Sequence, residues 1–354
     1  MNYKLYHGDC LEQLDNVENK SIQTILIDPP YNIKKDTWDD IPNYNEWMLN
    51  IIEKLLSKLK DNGSFFMFHN DMPIISRLMV SIEQRFPRFK FKQMIVWNKR
   101  FNESKKKGFL DGFIVREHLT NWNKMAEYIL FYTFDNTYKI KEKRTKMRVK
   151  QLDISKEILS KNGNLTGWYS NIEMGKNFPT RETIKPITKH LGLKYDDIVP
   201  KYYNLKTHHS VWNYDMAKRC KIHITPKPLD LLKNIILHTT DEGDKVLDCF
   251  GGSGTTAYAC LETNRYPILI EIDVKYYNYI KKKIQTDYSS SSKNNEDIEE
   301  KDSTTNSDII QNVILDFSKM TLSQIKKHSQ YKNLPRSVGK SKLNKSNLVK
   351  ILSN

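Results

Sequence analysis

Over the first 138 positions, apolar residues recur in two alternating rhythms. SIQTILIDPPYN (21–32), SFFMFHN (64–70), QMIVWNK (93–99) and AEYILFYT (126–133) are short β-rich runs that read as strands, the first ending abruptly at two prolines. Between the first two, YNEWMLNIIEKLLSKLK (44–60) places its apolar residues at helical spacing, and Asp61-Asn62-Gly63 is expected to stop that helix. Strands separated by helices predict an α/β fold with a mostly parallel sheet covered on both faces. From 139 to about 205 the chain turns basic and helical. After about 220 the earlier pattern returns: a helix at PLDLLKNIILHTT (228–240), a strand at KVLDCF (245–250), a helix from Thr255 and a strand at YPILIEI (266–272). No internal repeat is present.

The remainder changes character twice. Residues 287–308 carry seven acids against two bases and almost nothing apolar, so they are expected to stay unfolded as a linker. Residues 309–354 carry nine bases against one acid and enough apolar residues for a small helical module. The pattern therefore divides the chain at 1–138, 139–206, 207–286, 287–308 and 309–354.

Composition sharpens this picture in one respect. Lys and Arg number 57 against 42 Asp and Glu, a formal charge of +15. The excess is clustered, in Lys105-Lys106-Lys107 and in KIKEKRTKMRVK (139–150), where seven bases face one acid. Clustered cations point to a polyanionic partner, since they release counterions from phosphates. Cys10, Cys220, Cys249 and Cys260 are scattered without a Cys-x-x-Cys pair, which argues against a structural metal or a disulfide framework. No run approaches the roughly 18 apolar residues of a membrane span, so a soluble intracellular protein with no membrane partner is expected.

Two constellations carry chemistry. DCFGGSGTT (248–256) leads from a strand through a glycine-rich turn into a helix, which lets a ligand approach the backbone closely. Glu271, 17 residues beyond Gly254, ends the next strand, where a carboxylate can accept hydrogen bonds from ribose hydroxyls. Alone, this says only that the cofactor contains adenosine. DPPYN (28–32) follows the strand TILI. Exocyclic base amines are poor nucleophiles because their lone pair is delocalised into the ring. Asp28 and the Pro29 carbonyl can accept both amino hydrogens and favour a tetrahedral nitrogen, Pro30 rigidifies the turn, and Tyr31 offers a face for an extruded base.

Together these segments resemble the β group of amino-methyltransferases, in which the catalytic motif precedes the cofactor motif in a circularly permuted order. LYHGDCLEQL (5–14) and HITPKPLDLLKNII (223–236) are similar to two further segments of that family. The resemblance covers roughly 1–138 and 207–284. It implies a Rossmann-like S-adenosylmethionine-dependent methyltransferase fold, with a catalytic half at 1–138 and a cofactor half at 207–286. It implies that Phe250, Gly252, Ser253, Gly254, Thr255 and Glu271 hold S-adenosylmethionine together with Asp9, Cys10, Thr225 and Lys227. Asp9 would meet the adenine, and Thr225 and Lys227 the methionine part. Asp28, Pro29, Pro30 and Tyr31 would be catalytic, and no catalytic cysteine is needed. Cys249 departs from the proline usual there and is expected to fill core. The aspartate that opens DPPYN favours N6 of adenine, because enzymes acting on cytosine N4 more often resemble Ser-Pro-Pro-Tyr. Many members of the group pair, which makes a homodimer an expectation.

Within 139–206, residues 154–193 resemble the helix-turn-helix of phage-repressor-type regulators, with a glycine turn at 163, a short helix ending at Ile172-Glu173 and Thr180 as the N-cap of another helix. This segment is expected to read double-stranded DNA. The basic run (Lys143, Arg144, Lys146, Arg148) and the helix near 165–174 (Thr166, Trp168, Tyr169, Asn171) supply the contacts. The alternative is a helical spacer packed on the core. Residues 315–353 weakly resemble small DNA-binding modules of the SAP type, and a protein-docking tail fits them nearly as well. Two rival functions stay open at this level: a cytosine-N4 methyltransferase, and a catalytically inactive helix-turn-helix regulator. An oxidoreductase would leave DPPYN unused.

Overall fold

A computed structural model describes residues 2–33, 39–99, 126–203, 205, 209–217 and 226–293, with side chains as far as 287. Thr225, Cys220, the lysines at 105–107, most of the acidic linker and the 309–354 module lie outside the described residues.

The chain runs β1 (Lys4–His7), α1 (Cys10–Gln13), β2 (Ile22–Ile27), α2 (Tyr44–Lys58), β3 (Leu59–His69), α3 (Met72–Arg85), β4 (Phe89–Asn98) and β5 (Ala126–Phe134). The helices α4 (Tyr138–Lys146), α5 (Gln151–Ser155), α6 (Trp168–Glu173), α7 (Ile184–Leu191) and α8 (Tyr195–Ile198) follow. Then come β6 (Val211–Asn213), α9 (Leu229–Thr239), β7 (Lys245–Asp248), α10 (Thr255–Leu261), β8 (Tyr266–Glu271) and α11 (Val274–Lys293). The strands form one sheet in the order β1-β8-β7-β2-β3-β5-β4-β6.

The parallel sheet that the alternation predicts holds for the neighbours β1, β8, β7, β2 and β3. Beyond β3 the sheet is mixed: β5 is antiparallel to both β3 and β4, and β6 is parallel to β4. Side chains alternate between the two faces as a pleated strand requires. Phe65 and Met67 join Ile25, Ile27 and residues of α2 and α3 on one face; Phe66 and Phe68 join Leu26, Trp97 and residues of α9 and α10 on the other. Each such buried side chain contributes roughly 1.5–3 kcal/mol relative to exposure.

One boundary departs from expectation. Asp61-Asn62-Gly63 does not terminate a helix: α2 ends at Lys58 and β3 begins at Leu59. The β2–β3 register passes from Ile22↔Leu59 to Thr24↔Ser64, so these residues form an irregularity near the start of β3. Glycine is favoured there, because a Cβ on Gly63 would lie 2.9 Å from the Lys60 carbonyl oxygen as well as against the Leu59 side chain.

The basic segment forms a small helical body with its own core of Ile140, Ile154, Tyr169, Ile172, Ile184, Ile187, Leu191 and Ile198. Because β5 runs antiparallel to β3, with Ser64 opposite Thr133, the chain enters this body beside the start of β3. Ties to the sheet follow at that edge. Lys139 Nζ meets Asp61 at 2.7 Å, Asn136 Nδ2 donates to the Asp61 carbonyl at 2.7 Å, and the Lys201 amide donates to the Asn62 carbonyl at 2.9 Å. The N-cap of α7 is Thr183, not Thr180. Thr180 instead accepts from the Thr183 amide at 3.1 Å and, through its carbonyl, from the Ile184 amide at 3.0 Å, so it closes the turn that leads into the helix. No helix among the described residues is long and apolar enough to cross a membrane.

Ile187→Ala should lower the free energy of unfolding by about 2–5 kcal/mol, the usual cost of a cavity at a fully buried isoleucine. Urea unfolding followed by tryptophan fluorescence measures it, and a change below about 0.5 kcal/mol would show that the insert lacks a packed core.

Candidate active site

The five parallel strands end along one edge of the sheet, and the polar groups singled out in the sequence collect there, as ligands do at the carboxyl ends of open α/β sheets. After β1, Asp9 caps α1, its Oδ1 accepting from the Leu11 amide at 2.8 Å. After β7 the glycine loop turns tightly: Gly252 and Gly254 have φ of 50° and 75°. A Cβ on Gly254 would meet the Ile280 Cγ1 at 2.9 Å, so that position needs glycine twice over. Glu271 braces the loop, accepting from the Gly252 amide at 2.6 Å and the Asp273 amide at 2.8 Å. The Ser253 and Thr255 hydroxyls lie 2.8 Å apart, and the Phe250 ring packs 6.0 Å from Trp47. Asp248 is buried and accepts from the Phe250 amide and, at 2.6 Å, from the Thr256 hydroxyl. Burial pushes its carboxyl up to about 7 against those two hydrogen bonds.

The thiols do not join this polar edge. Cys10 and Cys249 are both buried in the apolar core, and burial, then the neighbouring Cys10, raises the Cys249 thiol well above its ordinary value. Cys249 therefore fills core as expected. Cys10, expected beside the cofactor, does the same.

The DPPYN loop follows β2. Tyr31 Oη donates to Asp28 Oδ1 at 2.7 Å, and Tyr44 Oη donates to the Pro30 carbonyl at 2.6 Å. Asn32 takes a left-handed φ of 55°, which asparagine tolerates better than most residues, and Asp39 accepts from its amide at 2.6 Å. The Tyr31 ring is only 9% exposed and rests against His69, with centroids 4.7 Å apart. The open stacking face expected at Tyr31 is thus already covered in this structure. His69 itself is buried, its Nδ1 accepting from the Asp71 amide at 3.1 Å, and burial lowers it to about 4 despite four nearby carboxylates.

Lys227 occupies a place the sequence did not disclose. Its ammonium donates to Asp28 Oδ2 at 2.5 Å and lies 3.4 Å from Glu127 Oε2, with the Tyr31 and Phe68 rings 5.6 and 5.2 Å away. Burial alone would lower the Lys227 ammonium, but Asp28 and Glu127 outweigh it and hold it above its ordinary value. Glu127 is 6% exposed and also pairs with Lys99. Burial alone would raise its carboxyl, yet Lys227 and Lys99 hold it below the usual range. Glu127 and Lys99 went unnoticed in the sequence. The available signal was register: in AEYILFYT, Glu127 shares its side of β5 with Ile129 and Phe131, which belong to an apolar core.

The proposed DNA contacts divide. Lys143, Lys146, Arg148 and Thr166 are exposed, and Asn171 is half-buried. Tyr169 is 0% exposed in the core of the insert, so its ring is not presented to a groove. Trp168 packs against the same core and donates to the Ser155 carbonyl at 3.1 Å. Arg144 is committed to Glu173 at 2.8 Å. Among the described residues no group of histidine, cysteine or acidic side chains is arranged to hold a metal ion.

Comparisons with known proteins identify the family and the fold. A family model described as DNA methylase matches residues 22–282. The type II methyltransferase M1.MboII of Moraxella bovis is 29% identical over 288 residues, covering 78% of this chain and 94% of that protein. The DNA adenine methyltransferase YhdJ of Escherichia coli strain K12 is 27% identical over 286 residues, covering 77% of this chain and 79% of that protein. Among solved structures, the cytosine-N4-specific PvuII DNA methyltransferase shares the fold with a TM-score of 0.53 at 16% identity, covering 79% of this chain and 86% of that one.

The raised Asp248 carboxyl sets a pH dependence. A group held at about 7 when folded and near 3.8 when unfolded favours the folded state fully below pH 3.8 and progressively loses that contribution as pH rises to 7. Wild-type stability should therefore fall between pH 4 and pH 7 more steeply than that of Asp248→Asn, as read by urea midpoints across that range; parallel profiles would contradict the assignment.

Proposed function

Because the chain belongs to the DNA methylase family and is an S-adenosylmethionine-dependent DNA methyltransferase, we propose that it methylates N6 of adenine in double-stranded DNA, with Asp28 as the acceptor that orients the amino group. The observation that carries this reading is Asp28 itself, opening the DPPYN loop with each oxygen tied to one protein donor: Tyr31 on Oδ1 and Lys227 on Oδ2. A carboxylate has about four lone-pair sites, so both oxygens keep capacity for an amino hydrogen. Motif order supports the permuted β-group assignment, with DPPYN at 28 preceding GGSGTT at 251.

The polar edge suits the cofactor. Gly252, Ser253 and Thr255 are half-buried beside Glu271, Phe250 offers an aromatic surface, and Asp9 stands at the end of the neighbouring strand. Gly254 completes the turn. When bound, S-adenosylmethionine supplies an electrophilic methyl group. Lys227 takes a different part from the one the family resemblance implied, holding Asp28 rather than the methionine end.

The protein's own residues then act as follows. The adenine leaves the duplex at a cost of a few kcal/mol in lost stacking. Asp28 and the Pro29 carbonyl accept its two amino hydrogens, which localises the nitrogen lone pair. Tyr31, tied to Asp28 and backed by His69, keeps the carboxylate in place. As the nitrogen is alkylated its proton becomes acidic and passes to Asp28 or to water. Acceleration comes mainly from alignment.

Transfer of labelled methyl from S-adenosylmethionine to unmethylated genomic DNA, followed by nucleoside mass spectrometry, tests this. Wild type should yield N6-methyladenine, and Asp28→Ala should reduce it by about 100-fold or more. N4-methylcytosine in its place would overturn the base assignment, and DNA binding without transfer would favour the inactive regulator.

A further inference from the structure

We propose that Tyr44 and Asp39 are positioning residues for methyl transfer, fixing the stretch of backbone from which the Pro29 carbonyl meets an amino hydrogen. This rests on the reading above that Pro29 shares that task with Asp28.

The Pro29 carbonyl cannot be anchored through its own peptide. The nitrogen of that peptide belongs to Pro30 and carries no hydrogen, so no acceptor can hold it from the donor side. A following proline confines both Asp28 and Pro29 to extended backbone, which limits the carbonyl without fastening it. Its direction is therefore set by whatever holds the peptides that come next. Tyr44 holds the first, its hydroxyl donating to the Pro30 carbonyl at 2.6 Å. Asp39 holds the two after it: Oδ1 accepts from the Asn32 amide at 2.6 Å and Oδ2 from the Ile33 amide at 3.1 Å. Asn32 returns the tie, its Oδ1 accepting from the Ile41 amide at 2.7 Å. These bonds also hold Asn32 at its left-handed φ of 55°, a conformation that persists only where the surroundings impose it.

Both residues are buried, Asp39 at 1% exposure and Tyr44 at 6%. A buried carboxylate is costly unless hydrogen bonds satisfy it, and two of those satisfying Asp39 come from the loop. Burial, then Asp39 and Asp28, hold the Tyr44 hydroxyl above its ordinary value, so it stays a donor. The Tyr44 ring is located independently of that hydroxyl, resting 5.6 Å from Trp47 and 6.1 Å from His69 between centroids. His69 also backs Tyr31, whose hydroxyl donates to Asp28. One buried imidazole thus spaces two tyrosines that pin the loop on either side of Pro29. Tyr31 takes the Asp28 carboxylate before it, and Tyr44 takes the Pro30 carbonyl after it. Tyr44 and Asp39 act through the loop backbone, not on the amino group itself.

Tyr44→Phe deletes one hydroxyl and keeps the ring; Asp39→Asn keeps the shape and gives up one of the two amide acceptors. Each full-length variant should be compared with wild type on a duplex carrying the mapped methylation site. Each should lower kcat about tenfold while the KM values for S-adenosylmethionine and for DNA stay within about twofold of wild type. A duplex with 2-aminopurine at the target position should fluoresce equally with all three proteins, because extrusion of the base does not use the carbonyl. If Asp39→Asn fails to fold, Tyr44→Phe carries the test alone. Unchanged kcat would show that the Pro29 carbonyl is set without these residues. A loss of kcat matched by a change in cofactor KM or in 2-aminopurine fluorescence would make them general supports of the fold and overturn their positioning role. In both of those cases transfer by wild type leaves the methyltransferase reading intact; absence of wild-type transfer would remove that reading and this one together.

Discussion

A buried ammonium with two carboxylates around it is the interaction on which the edge carrying Asp28 depends. Taking the Lys227 charge out of water costs several kcal/mol, and only partners of opposite sign within hydrogen-bond reach offset that. Asp28 and Glu127 provide them, and Lys99 balances the second carboxylate, so four formal charges sum to zero around the buried Lys227–Glu127 pair. The members come from the loop after β2, the end of β4, the start of β5 and the approach to α9. None is adjacent in sequence, yet each constrains the others. Asp28 is therefore held by the fold, not by its own loop alone: Tyr31 fixes one oxygen and Lys227 the other.

The mixed half of the sheet acquires a purpose in this light. A wholly parallel continuation would start every strand at the far edge. Reversing β5 brings its first residues, Ala126 and Glu127, to the catalytic edge and sends its last residues toward Asp61. The same reversal places Glu127 beside Lys227 and launches the basic insert from the other side of the molecule. The Asp28 loop and the basic insert thus lie toward opposite ends of β5 through one change of strand direction.

Local signals were legible and long-range ones were not. The glycine loop could be read because its φ angles and close packing against Ile280 demand glycine in a short span, and DPPYN because two prolines after a strand permit few conformations. The helices at 44–60 and 228–240 followed from apolar spacing. The start of β3 did not, since Gly63 looked like a helix stop and is instead accommodated by a register irregularity with β2. Lys227 entered the cofactor set through the family resemblance, and its pairing with Asp28 and Glu127 was not legible because those partners lie 199 and 100 positions away. Tyr169 looked like a groove contact, but it stands three residues before Ile172, so both fall on the inward face of α6, a spacing that sequence alone offers equally to core and to DNA.

The most direct test of this account is a double-mutant cycle on the buried charges, combining Lys227→Met and Glu127→Gln and reading urea unfolding at neutral pH. Removing Lys227 alone should cost about 3–5 kcal/mol, because it leaves carboxylates without their cation, and the two changes together should fall short of their sum by at least about 1 kcal/mol. Additivity within about 0.5 kcal/mol would show that the two residues do not share one charge cluster, and the catalytic edge would then need another explanation for how Asp28 is held.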